Sequence, residues 1–256
     1  MIIDGYAHCG VSKFLPVEEL LTVMTRSGVD RAMLCQHLGE YDNRYLQSVV
    51  NQHPDRFVAT CLVDFSAPEA SHELRRWHDT GCFRGLRVVS DTLGQHFDLC
   101  AKTLLLGMHI VLYAPEGIAG AVQPVRRLAQ QASEGRIVIS HLGNPRVEDD
   151  RLVYGRELLE LAMEQNIDVQ LSGLSMFCSY PYRPLQAFIR EVVAAFGPDR
   201  VLWGSNFPVS GGNAELYRRD LLFVGSSDLG LTDGEIEQIM GGTANKIWFG
   251  GRTKDS

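Results

Sequence analysis

Eight short apolar runs rich in Val, Ile and Leu recur along the 256 residues, each followed by an amphipathic stretch before the next begins. The runs lie at 2–4, 32–36, 58–63, 85–89, 110–114, 137–140, 169–172 and 201–203. Strands that read as continuous apolar runs, without polar alternation, belong to parallel sheets covered on both faces. The intervening stretches 17–28, 71–81, 97–107, 119–135, 156–165 and 182–197 carry helical spacing, and most of them end on a glycine. Repeated strand–helix units over about 250 residues predict an α/β fold of the closed (β/α)8 TIM-barrel type. A doubly wound open sheet is the alternative, but no Gly-x-Gly-x-x-Gly follows a strand. No linker or charge block interrupts the pattern, so residues 1–256 are expected to form a single domain. At the end of the chain, 232–248 reads as a capping helix, with Thr232 and Glu235 spaced as a capping box.

Composition narrows the function classes. The hydrophobic fraction of 45% supplies a large core, and the net charge is -7 with Lys and Arg scattered. A nucleic-acid partner would call for a basic stripe, which is missing. No apolar run reaches the roughly 18 residues that span a bilayer, so no membrane partner is expected. The segment Met1-Ile2-Ile3-Asp4 enters a strand directly and reads as no signal peptide. The six cysteines, widely and irregularly spaced, suit reduced thiols in a cytoplasmic enzyme.

In such a barrel the chemistry gathers at the C-terminal ends of the strands. Those positions offer Tyr6 and His8 after the first strand, His37 after the second, and Arg84 and Arg87 on the fourth. They also offer Tyr113 on the fifth, His141 after the sixth, Ser172 on the seventh and Asn206 after the eighth. Imidazoles, phenols and guanidinium groups meeting at one rim suit a small, oxygen-rich, anionic substrate. A lone His after an apolar strand is more often a satisfied polar group than a catalyst. His8 and His141 stand above that expectation because both end strands of one barrel. Arg84 and Arg87 are separated by two residues, so strand alternation lets at most one point inward.

The markers Ile3-Asp4-Gly5-Tyr6-Ala7-His8, Arg84-Gly85-Leu86-Arg87, Ile139-Ser140-His141-Leu142-Gly143, Leu171-Ser172-Gly173, Trp203-Gly204-Ser205-Asn206-Phe207-Pro208 and Gly241-Gly242-Thr243-Ala244-Asn245 follow one another in order. In that order the chain resembles the amidohydrolase superfamily, in the amidohydrolase-2 branch that includes lactonases and aromatic-acid decarboxylases. The resemblance implies a metal held by a His-x-His after strand one, a ligand at strand five, a His at strand six and an Asp at strand eight. Here those positions read Tyr6 and His8, Tyr113, His141 and Asn206. Two imidazoles fall short of the three protein ligands a catalytic zinc takes, and Asn and Tyr bind zinc poorly. The departure predicts no metal and no other cofactor.

The resemblance extends to a lactonase branch that works without metal and holds substrate carboxylates with Arg and Tyr, although that branch keeps the strand-eight Asp. The expected function is therefore metal-independent His acid/base chemistry at a carbonyl: lactone or ester hydrolysis, or the related dehydrative cyclisation. His8, His141, Tyr6, Tyr113 and Asn206 would be catalytic, and Arg84, Arg87, His37 and Ser172 would bind substrate. Two rival readings stay open. One is a metal-dependent hydrolase or decarboxylase drawing a further ligand from His37, Cys9 or Asp64. The other is a non-catalytic binder on the same scaffold. An exposed C-terminal helix is compatible with a homodimer.

Overall fold

All eight apolar runs form parallel strands of one sheet in the computed structural model, which describes residues 1–209 and 212–250. The strands are β1 (Ile3–Ala7), β2 (Arg31–Cys35), β3 (Phe57–Cys61), β4 (Phe83–Val89), β5 (His109–Tyr113), β6 (Ile137–Ile139), β9 (Ile167–Ser172) and β10 (Val201–Gly204). They pair in chain order, and the sheet curls until β10 lies beside β1, where a bridge joins Ala7 to Phe207. The remaining two strands, β7 (Arg146–Glu148) and β8 (Arg151–Tyr154), make an antiparallel hairpin in the long connection after β6.

The helices are α1 (Val17–Ser27), α2 (Arg44–Gln52), α3 (Ala70–Asp79), α4 (Ser90–Gln95), α5 (Phe97–Leu105), α6 (Val122–Gln131), α7 (Arg183–Phe196), α8 (Ala214–Val224) and α9 (Asp233–Glu237). Their apolar faces cover the outside of the barrel. In α7 the buried residues Leu185, Phe188, Ile189, Val192, Val193 and Phe196 recur three and four apart, the spacing of one helical stripe. One expectation is corrected. The stretch 156–165 forms a 3-10 segment, Arg156–Leu161, because it follows the hairpin and is too short and too tethered to settle into an α-helix. The segment 232–248 is helical throughout and opens on the Thr232–Glu235 capping box, with α9 widening into π turns at Gln238–Gly242 and Asn245–Phe249. Gly241 packs so closely that a Cβ there would sit 2.1 Å from the Met1 carbonyl oxygen.

Side chains alternate along each strand between two cores. Outward residues such as Leu34, Leu86, Leu112 and Val169 pack under the helices. Inward residues Ile3, Met33, Val58, Val111, Val138 and Leu202 fill the barrel, together with Ala244, Ile247 and Trp248 of the C-terminal segment. That segment closes the N-terminal end of the barrel, where His109 Nε2 meets the Ile247 carbonyl (2.9 Å) and Arg31 donates to Asn245 Oδ1 (3.3 Å). The opposite end stays open and carries the chemistry-bearing side chains that follow the strands. All six cysteines are free thiols. Among the described residues no helix is long and apolar enough to cross a membrane.

Candidate active site

The open end of the barrel holds a cavity of about 260 Å³ whose walls include Tyr6, His8, His37, Arg87, Tyr113, His141 and Asn206. Seven of the nine side chains expected at the site therefore meet in one space. The other two are elsewhere. Arg84 lies toward the start of β4, three residues of extended chain below Arg87, where its charge is felt by His109 at the closed end of the barrel. Its assignment to substrate binding is corrected on that ground. Ser172 is 2% exposed and turned to His141, with its Oγ 2.9 Å from His141 Nδ1, so it orients a ring and does not line the cavity.

Arg87 sets the electrostatics. It projects inward from β4, is 6% exposed, and donates from Nη1 to the Gln36 carbonyl at 2.6 Å. Its Nε is buried without a hydrogen-bond partner, and among the described residues no carboxylate pairs with it. The guanidinium lies 6.0 Å from the Tyr6 ring centre and 5.8 Å from that of Tyr113. A buried cation with no counter-ion costs several kcal/mol unless something anionic arrives.

The two imidazoles beside it are neutral. Burial, then the Arg87 charge, holds His8 well below the ordinary histidine range, and the same two causes push His141 down to about 3. His8 Nδ1 lies 2.6 Å from the Cys35 carbonyl, which only accepts, so the ring proton sits on Nδ1 and Nε2 keeps its lone pair. Ser172 Oγ accepts from the His141 backbone N–H (3.3 Å) and lies 2.9 Å from His141 Nδ1, which fixes the ring. His8 therefore offers a base, and His141 is a neutral ring held beside it. Tyr6 packs edge-on against both, at 4.9 and 4.8 Å between ring centres, and Tyr113 meets His141 at 5.8 Å. Burial raises the Tyr6 phenol well above its ordinary range, so it stays protonated.

The backbone that carries these groups is strained. His141, Leu142, Gly143 and Asn144 have φ of 53, 54, 72 and 58°, a left-handed turn that costs non-glycine residues about 1–3 kcal/mol each. The fully buried Leu142 side chain and the bond from Asn144 N to the His141 carbonyl (2.9 Å) hold it. Asn206 is also left-handed (φ 54°), a conformation its short amide tolerates, and its Nδ2 donates to Met176 Sδ at 3.2 Å. Asp4, fully buried, ties Asn206's loop to β1 by accepting from Tyr6 N, Ser205 N, Ser205 Oγ and Tyr217 Oη. Burial raises its carboxyl to about 6. Gly173 (φ +63°) passes so close that a Cβ would lie 2.8 Å from His141 Nδ1.

Sequence reasoning missed Asp4 and Gly173 as supports, and it missed the rim formed by Lys13, Phe14, Leu38, Met176 and Val209. The Phe14 ring stacks on His8 at 4.6 Å. These rim residues sit deeper in the loops after strands, and a reading limited to the first positions past each strand overlooks them.

A divalent cation fits this donor set poorly. Among the described residues no group of three His, Cys, Asp or Glu could hold a metal ion. His8 and His141 each present one nitrogen, the cavity walls carry no carboxylate, and the Arg87 charge repels a dication.

The family model described as amidohydrolase matches residues 8–250. The L-fucono-1,5-lactonase of Burkholderia ambifaria is 28% identical over 205 residues, covering 75% of this chain and 70% of that protein. An amidohydrolase of Burkholderia multivorans, solved with bound HEPES and separately with bound zinc, superposes with a TM-score of 0.79 at 18% identity, covering 96% of this chain and 98% of that one. A probable 2-pyrone-4,6-dicarboxylic acid hydrolase of Acinetobacter baumannii, solved with citric acid bound, gives 0.72 at 17% identity over the same shares, 96% and 98%. At these identities the solved structures establish the barrel fold.

Proposed function

The chain belongs to the amidohydrolase family and has the build of an amidohydrolase-type enzyme, and from that premise we propose that it hydrolyses a lactone or activated ester of a small anionic substrate without a resident metal. The observation that carries this reading is Arg87, a buried guanidinium without a carboxylate partner, set beside two neutral imidazoles. An anionic group on the substrate supplies the missing counter-charge.

The step uses groups already in place. His141, in the tautomer with its proton on Nε2, joins Tyr6, Tyr113 and Asn206 in polarising the carbonyl and stabilising the oxyanion that forms. His8 Nε2 takes a proton from water as the water oxygen bonds to the carbonyl carbon. The bond from that carbon to the ring oxygen then breaks, and the departing oxygen receives the proton held by His8. Water and lactone become a hydroxy acid. Run in reverse, the same groups close a ring with loss of water, so dehydrative cyclisation is the same chemistry in the other direction. A reactive electrophile is required, because a positioned base supplies about 10²–10⁴-fold and no metal-activated hydroxide assists it.

The test is turnover of lactones by protein stripped with a chelator, followed as acid release, with His8→Gln and His141→Ala alongside. Expected are full activity after stripping and losses of at least about 100-fold in both variants. Activity that returns only with added zinc or manganese, or that survives both substitutions, rules the mechanism out.

A further inference from the structure

The cavity is chemically divided along its depth. Its floor is cationic, with Arg87 as the buried charge. Its mouth is lined by Phe14, Leu38, Met176 and Val209, contributed by four different loops. Met176 is 42% exposed and Val209 52% exposed, so apolar surface faces water where a substrate would leave the barrel. A single exposed apolar side chain needs no explanation, but several converging on one cavity with a polar floor make a binding face. The one charged rim residue, Lys13, has its ammonium 5.6 Å from the Phe14 ring centre and adds to the positive potential. The volume, about 260 Å³, lies below the ~300–1,000 Å³ of pockets for drug-sized ligands, which limits the occupant to a ring with few substituents.

Hydroxyl groups around a sugar ring need partners when they leave water, and a rim of Phe, Leu, Met and Val leaves them unpaired. A hydrocarbon edge loses nothing there and gains the apolar contact. We propose that the substrate is an amphipathic lactone or ester, carrying a carboxylate that seats on Arg87 and a hydrocarbon edge, aromatic or alkyl, that lies against Phe14, Leu38, Met176 and Val209, and that a polyhydroxylated sugar lactone is not the substrate. This rests on the hydrolytic reading above. It sets the chain apart from the sugar-lactone activity named for its Burkholderia ambifaria relative.

Three lactones test it: 2-oxochroman-3-carboxylate, which has both features; dihydrocoumarin, which lacks the carboxylate; and L-fucono-1,5-lactone, which lacks both and carries ring hydroxyls instead. The expected kcat/KM for the first exceeds each of the others by at least about tenfold, the worth of one charge-assisted contact. Equal or faster turnover of L-fucono-1,5-lactone overturns the inference while the hydrolytic reading stands. Equal rates for the two aryl lactones overturn the seating of a carboxylate on Arg87. If none is hydrolysed the hydrolytic reading falls, and calorimetric titration with 3-(2-hydroxyphenyl)propanoate and L-fuconate decides this inference alone. At least about tenfold tighter binding of the aryl acid supports it, and equal or weaker binding overturns it.

Discussion

Replacing Arg87 by Met separates function from stability in a way few substitutions do. Met matches the length of the aliphatic stem and removes only the guanidinium. The stability cost is the lost bond to the Gln36 carbonyl, at 2.6 Å, about 1–3 kcal/mol if that oxygen finds no other partner. Against it stands relief from burying a cation that no carboxylate neutralises, an effective penalty of several kcal/mol. The sum favours the variant or leaves it level, so the urea midpoint of Arg87→Met should equal or exceed that of the parent. Activity should move the other way. A truncated partner of a buried charge contact costs about 2–5 kcal/mol, roughly 30-fold to several-thousand-fold in kcat/KM. The imidazoles give a third readout: the Arg87 charge helps hold down His8 and His141, so both should titrate at higher pH in the variant when followed by NMR. Loss of more than about 3 kcal/mol of stability with turnover intact would refute the reasoning, because it would mark Arg87 as a structural group with its charge already satisfied.

Other outcomes follow from the same geometry. Burial holds His141 near 3 and His109 near 4, so below about pH 6.5 the unfolded chain takes up protons that the folded one refuses, and stability present above that pH is lost as pH falls. Between pH 7 and 5 these two rings cost about 4 kcal/mol and His8 adds to the loss, while Asp4, raised to about 6, returns about 1 kcal/mol; urea melts at the two pH values should differ by at least about 3 kcal/mol, and a flat profile contradicts the burial argument. Gly173→Ala should cost about 2–3 kcal/mol and lower kcat, because its Cβ would sit 2.8 Å from His141 Nδ1 and 2.9 Å from Met176 Sδ at a φ of +63°; unchanged melting and turnover would show that both neighbours yield freely. Asp4→Asn should lose about 2–3 kcal/mol in urea melts, since an amide has one acceptor oxygen for the donors that now share two.

The barrel was legible because strands buried on both faces must be largely apolar, and most of the eight are, although β9 alternates Asp168 and Gln170 with Val169 and Leu171. The hairpin β7–β8 was not, since its residues are mostly exposed and no buried face imposes a pattern on them. Its turn, Asp149-Asp150 with φ of 47 and 57°, is the only local sign, and two aspartates do not announce a hairpin as Asn-Gly would. At the site, chemistry-bearing residues directly after strands were easy to place. Arg84 was misplaced because a strand margin read without its register leaves open which end of the barrel a side chain serves. The bulge between β3 and β4, where pairing shifts between Ala59 and Thr60, is invisible in sequence. Asp4 and Gly173 stand inside sequence motifs, but their roles depend on contacts 201 residues away for Asp4 and on a clearance measured in ångströms for Gly173.

The stopper at the closed end of the barrel has a consequence for how the chain assembles. Trp248 and Ile247 complete the same inner cluster as Ile3 near the start of the chain. A ribosome must therefore deliver the chain through Trp248 before the lumen can dehydrate, and the earlier repeats wait with their inner contacts incomplete. Shortening the chain from residue 243 onward would then do more than trim a surface: it would leave the staves standing without a bottom, with water able to enter beneath the catalytic layer.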